Sequence, residues 1–203
     1  MNLYTKIISY IDWWMTVFSS EDFNNIAAWY SDINKRIVKK QLTDNWVIMK
    51  LAPKVYIKKN PKEYIDFKKV SLVIDNDSYI SLQSALEWDI IKQWHTILYC
   101  CTPHKSKRIK YPYASFNGSL QGIQFFHIWI SQTFWIETKK EWYKIADKER
   151  ALLDLIYLYL YWNWKFLSEM FLHHINQEKI EKYLEYYPKN VENFYIKHIK
   201  NAE

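Results

Sequence analysis

SSEDFNNIAAWYSDINKRIVKKQLTDNWVIMKLAPKVYIKK, residues 19–59, holds two capped helical patterns followed by two extended runs. Ser19 or Ser20 suits an N-cap, and Glu21 and Asp22 put negative charge in the first turn, where the helix dipole favours it. Phe23 and Ile26 are the inward residues of that helix, and a turn falls around Trp29 and Tyr30. Ser31 is a second N-cap, followed by Asp32. The helix from Ile33 to Leu42 is expected to bury Ile33, Ile37 (or Val38) and Leu42. Its other faces carry Asn34, Lys35, Arg36, Lys39 and Lys40, and Thr43, Asp44 and Asn45 close it. Trp46–Met49 and Val55–Ile57 read as strands, with Lys50–Lys54 as the hairpin tip between them.

Helix, turn, basic helix and basic-tipped hairpin, in that order, are the plan of a winged helix-turn-helix, a unit that reads DNA. The charge distribution agrees. Residues 1–70 hold 12 Lys and Arg against 7 Asp and Glu, whereas residues 71–203 hold 16 against 15. A positive excess confined to one end is the electrostatic footprint of a polyanion site. In such a unit the start of the second helix, here Ser31 onward, approaches base edges in the major groove. Asn34 matches adenine, and Arg36 or Lys35 matches guanine, by donor and acceptor pattern. Lys39 and Lys40 lie further along and suit phosphates. Lys50 and Lys54 at the hairpin tip, and Lys58 beyond it, suit the adjacent backbone or minor groove. The expected partner is double-stranded operator DNA, bound with a steep salt dependence.

Outward from this stretch, an amphipathic helix is expected over Leu3–Met15, and Val17-Phe18 is a short extended link. Lys58–Lys69 is charged, contains Pro61 and reads as a linker. The chain of 203 residues, 49% hydrophobic, is long enough for two domains with real cores. The expected division is residues 1–70, a DNA-binding domain with its linker, and residues 71–203. The fold class is α+β: the winged helix-turn-helix, then a mixed α/β domain with a helical end. The aromatic fraction of 19% supplies much of both cores.

In the second part Asp75-Asn76-Asp77 is a turn before Ser78-Tyr79-Ile80, and Ser81 caps a short helix, Leu82–Trp88. Thr96–Cys101 is a continuous apolar strand. Lys107–Tyr113, Ile123–Ile130 and Trp142–Ile145 read as further strands, the first basic and edge-like. Asp147 opens a helix to about Tyr161, with Ala151, Leu152, Leu155 and Ile156 inward. Phe166–His174, Glu178–Tyr186 and Val191–Ile199 read as helices. Lys105, Lys107, Arg108 and Lys110 form a second basic cluster. It reads equally well as a patch facing nucleic acid or a protein partner and as a charged edge strand that resists aggregation.

No catalytic constellation is legible, and the chain is expected not to be an enzyme, with no cofactor. Only Gly118 and Gly122 are present, so no glycine-rich phosphate loop exists. Glu149 and Asp154 lie about 140° apart around their helix and do not converge. Cys100, Cys101 and His104 are a poor zinc set, because adjacent cysteines rarely share one tetrahedral ion. His173 and His174 face different ways on their helix, and no metal is expected. The adjacent cysteines cannot found a disulfide framework, which fits a reducing compartment. Asp12 interrupts the first apolar stretch, and no apolar run is long enough to span a bilayer. A cytoplasmic location without a membrane partner is the expectation.

Three stretches together resemble the AbiEi-type antitoxins, which also regulate transcription of their own operons. The first is the winged-helix pattern. The second, Ser78-Tyr79-Ile80-Ser81-Leu82-Gln83-Ser84-Ala85-Leu86, is similar to the family's aromatic-hydrophobic-Ser-x-x-Ser-Ala-Leu motif. The third, from Ile145 to Ile156, is similar to its Ala-x-x-Glu-Lys-Ala-Leu-Leu-Asp helix. Ala52-Pro53-Lys54 departs from the family's usual glycine in the wing, as does Trp29-Tyr30 in the turn between the two helices. The resemblance implies an operon repressor whose second domain opposes a nucleotidyltransferase-type toxin, without a stable complex between the two. The alternative is a stand-alone regulator whose second domain senses a ligand or dimerises.

Overall fold

The computed structural model describes residues 2–13, 17–58, 67–86, 97–110, 122–129, 137–138, 143–164 and 175–200. Helix α1 (Leu3–Trp13) leads into strand β1 (Val17–Ser19), so the expected link is a strand. Ser19 then starts α2 (Ser20–Ile26) through a reciprocal capping box. Its Oγ accepts from the amides of Glu21 and Asp22, and Asp22 Oδ2 accepts from the Ser19 amide at 2.7 Å. Ser31 caps α3 (Asp32–Asp44) by accepting from the Asn34 amide. Strands β2 (Ile48–Ala52) and β3 (Val55–Lys58) form the hairpin, and β1 adds to its far side, giving an antiparallel sheet ordered β1-β3-β2.

The helices pack on one another and on this sheet through Leu3, Ile7, Ile11, Phe18, Phe23, Val38, Leu42 and Ile48. On α3 the inward line is Val38 and Leu42. Ile33 and Ile37 are 70% and 50% exposed, which corrects the expected burial of Ile33 and selects Val38 over Ile37. Ile33 lies about 160° around the helix from that inward line, so both edges cannot be buried. Trp46, expected in a strand, sits in a left-handed turn with φ 59° and stands exposed before β2 begins.

Helix α4 (Phe67–Ile74) occupies the last residues of the expected linker and buries Phe67 and Val70. Beyond it runs a six-stranded sheet ordered β6-β7-β5-β4-β9-β8. Its strands are β4 (Tyr79–Ile80), β5 (Ile97–Thr102), β6 (Lys107–Lys110), β7 (Gly122–His127), β8 (Glu137–Thr138) and β9 (Lys144–Ile145). Pairing is mixed: β5 runs parallel to β7 and β4 parallel to β9, while the other neighbours are antiparallel. Gly122 allows a close approach between β7 and β6. A Cβ there would stand 2.3 Å from the Ile109 carbonyl oxygen of β6.

One face of this sheet carries α5 (Gln83–Leu86), α6 (Lys148–Trp162), α7 (Gln177–Leu184) and α8 (Lys189–His198). Against the other face pack α4 and Ile57 of β3, with Val17, Met49 and Leu51 at the margin. The two sheets therefore share a core. Strand alternation divides neighbours between the faces: Tyr79 and Cys101 point to the helical side, Ile80 and Cys100 to the other. Asp147 caps α6 as expected, accepting from the Arg150 amide at 2.9 Å. The expected helix over 166–174, and residues 14–15, 59–66, 87–88, 96, 111–113, 118, 130 and 142 of the other expectations, lie outside the described residues.

Candidate nucleic-acid interface

Helix α3 is braced from behind and presents its other side to water. Asn34, Arg36 and Lys40 are exposed, and Ser31 holds the helix start. The other two lysines turn away. Lys35 Nζ pairs with Asp32 at 3.2 Å, its side chain 20% exposed. Lys39 reaches inward, donating to Ser20 Oγ at 3.0 Å and lying over the rings of Tyr56 and Phe23. An ammonium between two aromatic faces is attracted by their quadrupoles. Lys39 thus ties α3 to α2 and β3 rather than reaching out to a phosphate, which corrects its expected role. Between α2 and α3 lies a surface cleft of about 240 Å³, lined by Phe23, Asn24, Asp32, Lys35, Arg36 and Lys39.

The hairpin turns through Pro53 and Lys54 at its tip, with Lys54 at φ 64°. Proline followed by a left-handed residue is what a type II turn asks for, and that second position normally takes glycine. The Lys54 carbonyl accepts from the Ser20 amide at 2.7 Å, so the tip is anchored to the start of α2. Lys50 and Lys54 are exposed, and Lys58 is half-buried.

Strand β2 packs beside β6, the sheet edge that carries the second basic cluster. That cluster divides. Lys105, Arg108 and Lys110 are exposed, whereas Lys107 turns in, 3.2 Å from Asp75 Oδ2 and over the Phe125 ring. Asp75 also accepts from Thr102 Oγ1 at 2.9 Å. One ligand atom each of Asp75, Asp77 and His104 lies within 4.8 Å of the others, the described residues that come nearest to a metal set. Lys107 already supplies positive charge to the buried carboxylate, and His104 Nε2 lies 3.0 Å from Asp77 Oδ2. Cys100 and Cys101 cannot join His104 on one ion, because they point to opposite faces of β5.

The two motifs of the second part meet inside the protein. Asp154 Oδ2 accepts from Tyr79 Oη at 3.0 Å and Ser81 Oγ at 2.6 Å, and its Oδ1 accepts from Tyr187 Oη at 2.5 Å. Arg150 Nη2 donates to Tyr79 Oη at 2.7 Å, and its Nε stands 3.6 Å from Asp154. Arg150 and Asp154 are both fully buried. Burial opposes charge on Arg150, but the Asp154 carboxylate overrides it and holds the guanidinium above its ordinary pKa. Burial, reinforced by Asp154, keeps the Tyr79 and Tyr187 phenols protonated to well above their ordinary range. Every hydroxyl is therefore a donor to one carboxylate, an arrangement suited to holding helix and sheet together. The i, i+4 spacing of Arg150 and Asp154 was the available signal; the tyrosines come from far along the chain. No protein-family model matches this chain, and no curated protein matches it.

Proposed function

We propose that residues 2–58 form a winged helix-turn-helix that binds double-stranded DNA, with α3 in the major groove and the β2–β3 hairpin as its wing. The observation that carries this reading is the outward face of α3. There Asn34, Arg36 and Lys40 stand exposed on a helix fixed from behind by Val38, Leu42 and the inward-turned Lys39. The element order and the β1-β3-β2 sheet support it, as do the exposed lysines of the hairpin. Asn34 and Arg36 are the base readers, and Lys40, Lys50 and Lys54 the phosphate contacts.

Fluorescence anisotropy on a labelled 20-base-pair duplex between 50 and 200 mM salt tests the reading. Three exposed lysines meeting phosphates give a log–log slope of about −3. Absence of binding at 50 mM salt with about 100 μM protein would falsify it. On the same reading the chain represses its own operon as an AbiEi-type antitoxin, and residues 71–203 counter a nucleotidyltransferase-type toxin. Support for that step is the resemblance of the two motifs that meet at Asp154. Growth rescue on co-expression with a nucleotidyltransferase encoded beside it is the expected result; no rescue by the full chain removes the antitoxin role and leaves the regulator.

A further inference from the structure

The outward face of α3 carries something that a phosphate-binding helix does not need. Ile33 and Ile37 sit one turn apart on it, 70% and 50% exposed. β-Branched residues are mediocre helix formers, and exposed aliphatic side chains gain nothing from folding. On the helix itself their neighbours are not apolar. Arg36 and Lys40 flank them on one side, Asn34 and Gln41 on the other, and all four are exposed. The stripe ends after two residues, because the next position on that face is Asp44. A helix–helix seam would need a longer stripe, and a stable protein interface about 800 Å² on each partner.

The major groove offers a matching partner. Among its polar base edges, the C5-methyl group of thymine is the apolar feature. We propose that Ile33 and Ile37 read thymine methyl groups, so that the preferred duplex carries A·T pairs opposite both residues. Four residues of helix span about 6 Å. Base pairs are about 3.4 Å apart, so the two thymines fall about two steps apart along the groove. Arg36 and Asn34 read the flanking bases by hydrogen bonds, while the isoleucines discriminate by shape and desolvation. This inference rests on the DNA-binding reading and names the kind of sequence it selects.

The test starts with duplexes recovered by the full-length protein from a random 20-base-pair library. On the best of them each thymine is replaced in turn by deoxyuridine, which removes only the methyl group. Wild type is expected to lose about fourfold in affinity at each of two positions, the worth of one buried methyl. Ile33→Ala loses the discrimination at one position and Ile37→Ala at the other, while Ile33→Val keeps it. Both alanine variants replace exposed residues with a better helix former, and circular dichroism checks that they fold. Sequence-selective binding indifferent to every deoxyuridine overturns the methyl reading and leaves the DNA-binding reading intact. Recovery of no duplex overturns both. Self-association in sedimentation that Ile33→Ala abolishes, with no deoxyuridine effect, gives the face to a second copy and also overturns the inference.

Discussion

Helix α3 commits Val38 and Leu42 to the core and shows Asn34, Arg36 and Lys40 to water, whereas α6 buries every residue from Glu149 to Leu158. Both helices carry charged residues, both start at a side-chain cap, and the fold uses their charges in opposite ways. On α6 the charges are spent internally: Arg150 and Asp154 answer each other and three hydroxyls, and Glu149 accepts from the Asn176 amide at 3.0 Å. On α3, among the described residues, Lys39 is used that way, and Lys35 and Asp32 answer each other. Charge on a helix therefore marks a site only where the rest of the fold leaves it unanswered.

The largest test of this contrast is Asp154→Ala. It strands a buried guanidinium and three hydroxyls, and removing one partner of a buried pair costs about 3–5 kcal/mol. Denaturant melts should show that loss, while DNA affinity below the melting transition stays unchanged. A loss under about 1 kcal/mol would mean that α6 does not depend on its internal charges. Gly122→Ala comes next. The added methyl meets the Ile109 carbonyl, and such overpacking costs about 1–3 kcal/mol. Amide exchange should quicken in β6, the strand that carries Arg108 and Lys110; unchanged protection there would show that the edge yields without cost. Arg36→Ala reverses the pattern. Stability should hold within about 0.5 kcal/mol, as for most surface changes. Affinity for a selected duplex should fall about 10- to 100-fold, with less effect on unrelated DNA. Equal losses on both duplexes would assign Arg36 to phosphate.

Much of α3 was legible because caps and periodicity are local. Ser31 caps the helix as the sequence indicates. But β2 runs on to Ala52, which puts Lys50 in a strand and leaves Pro53 and Lys54 as the tip, and only Asn34, Arg36 and Lys40 of the basic face stand exposed. Which face turned inward was less legible, since Ile33, Ile37 and Val38 all satisfy an apolar pattern and only packing against α1 and β2 chooses among them. Strand β1 is three residues long, too short for alternation to show. Helix α4 was hidden by Pro61 and by Lys68 and Lys69. The Asp154 network lay further out of reach. Its hydroxyls come from Tyr79 and Ser81, more than seventy residues away, and from Tyr187, and nothing in their spacing announces the meeting.

Strand β5 places two adjacent thiols back to back, Cys100 in the core beneath α4 and Cys101 in the core beneath α6. Burial pushes the Cys100 thiol up from 9.0 to about 12, with a Ser71 hydrogen bond opposing and the Asp75 charge adding. Because the folded value is the higher one, this group's contribution to stability is full below about pH 9 and is lost as the pH rises toward 12. At neutral pH neither thiol should react until its own side of the sheet opens. The chain thus carries a pair of native reporters, one for each layer. Pulsed alkylation read by mass spectrometry would show which layer separates first, without a label being introduced. Equal labelling of both at every denaturant concentration would mean that the layers come apart as one.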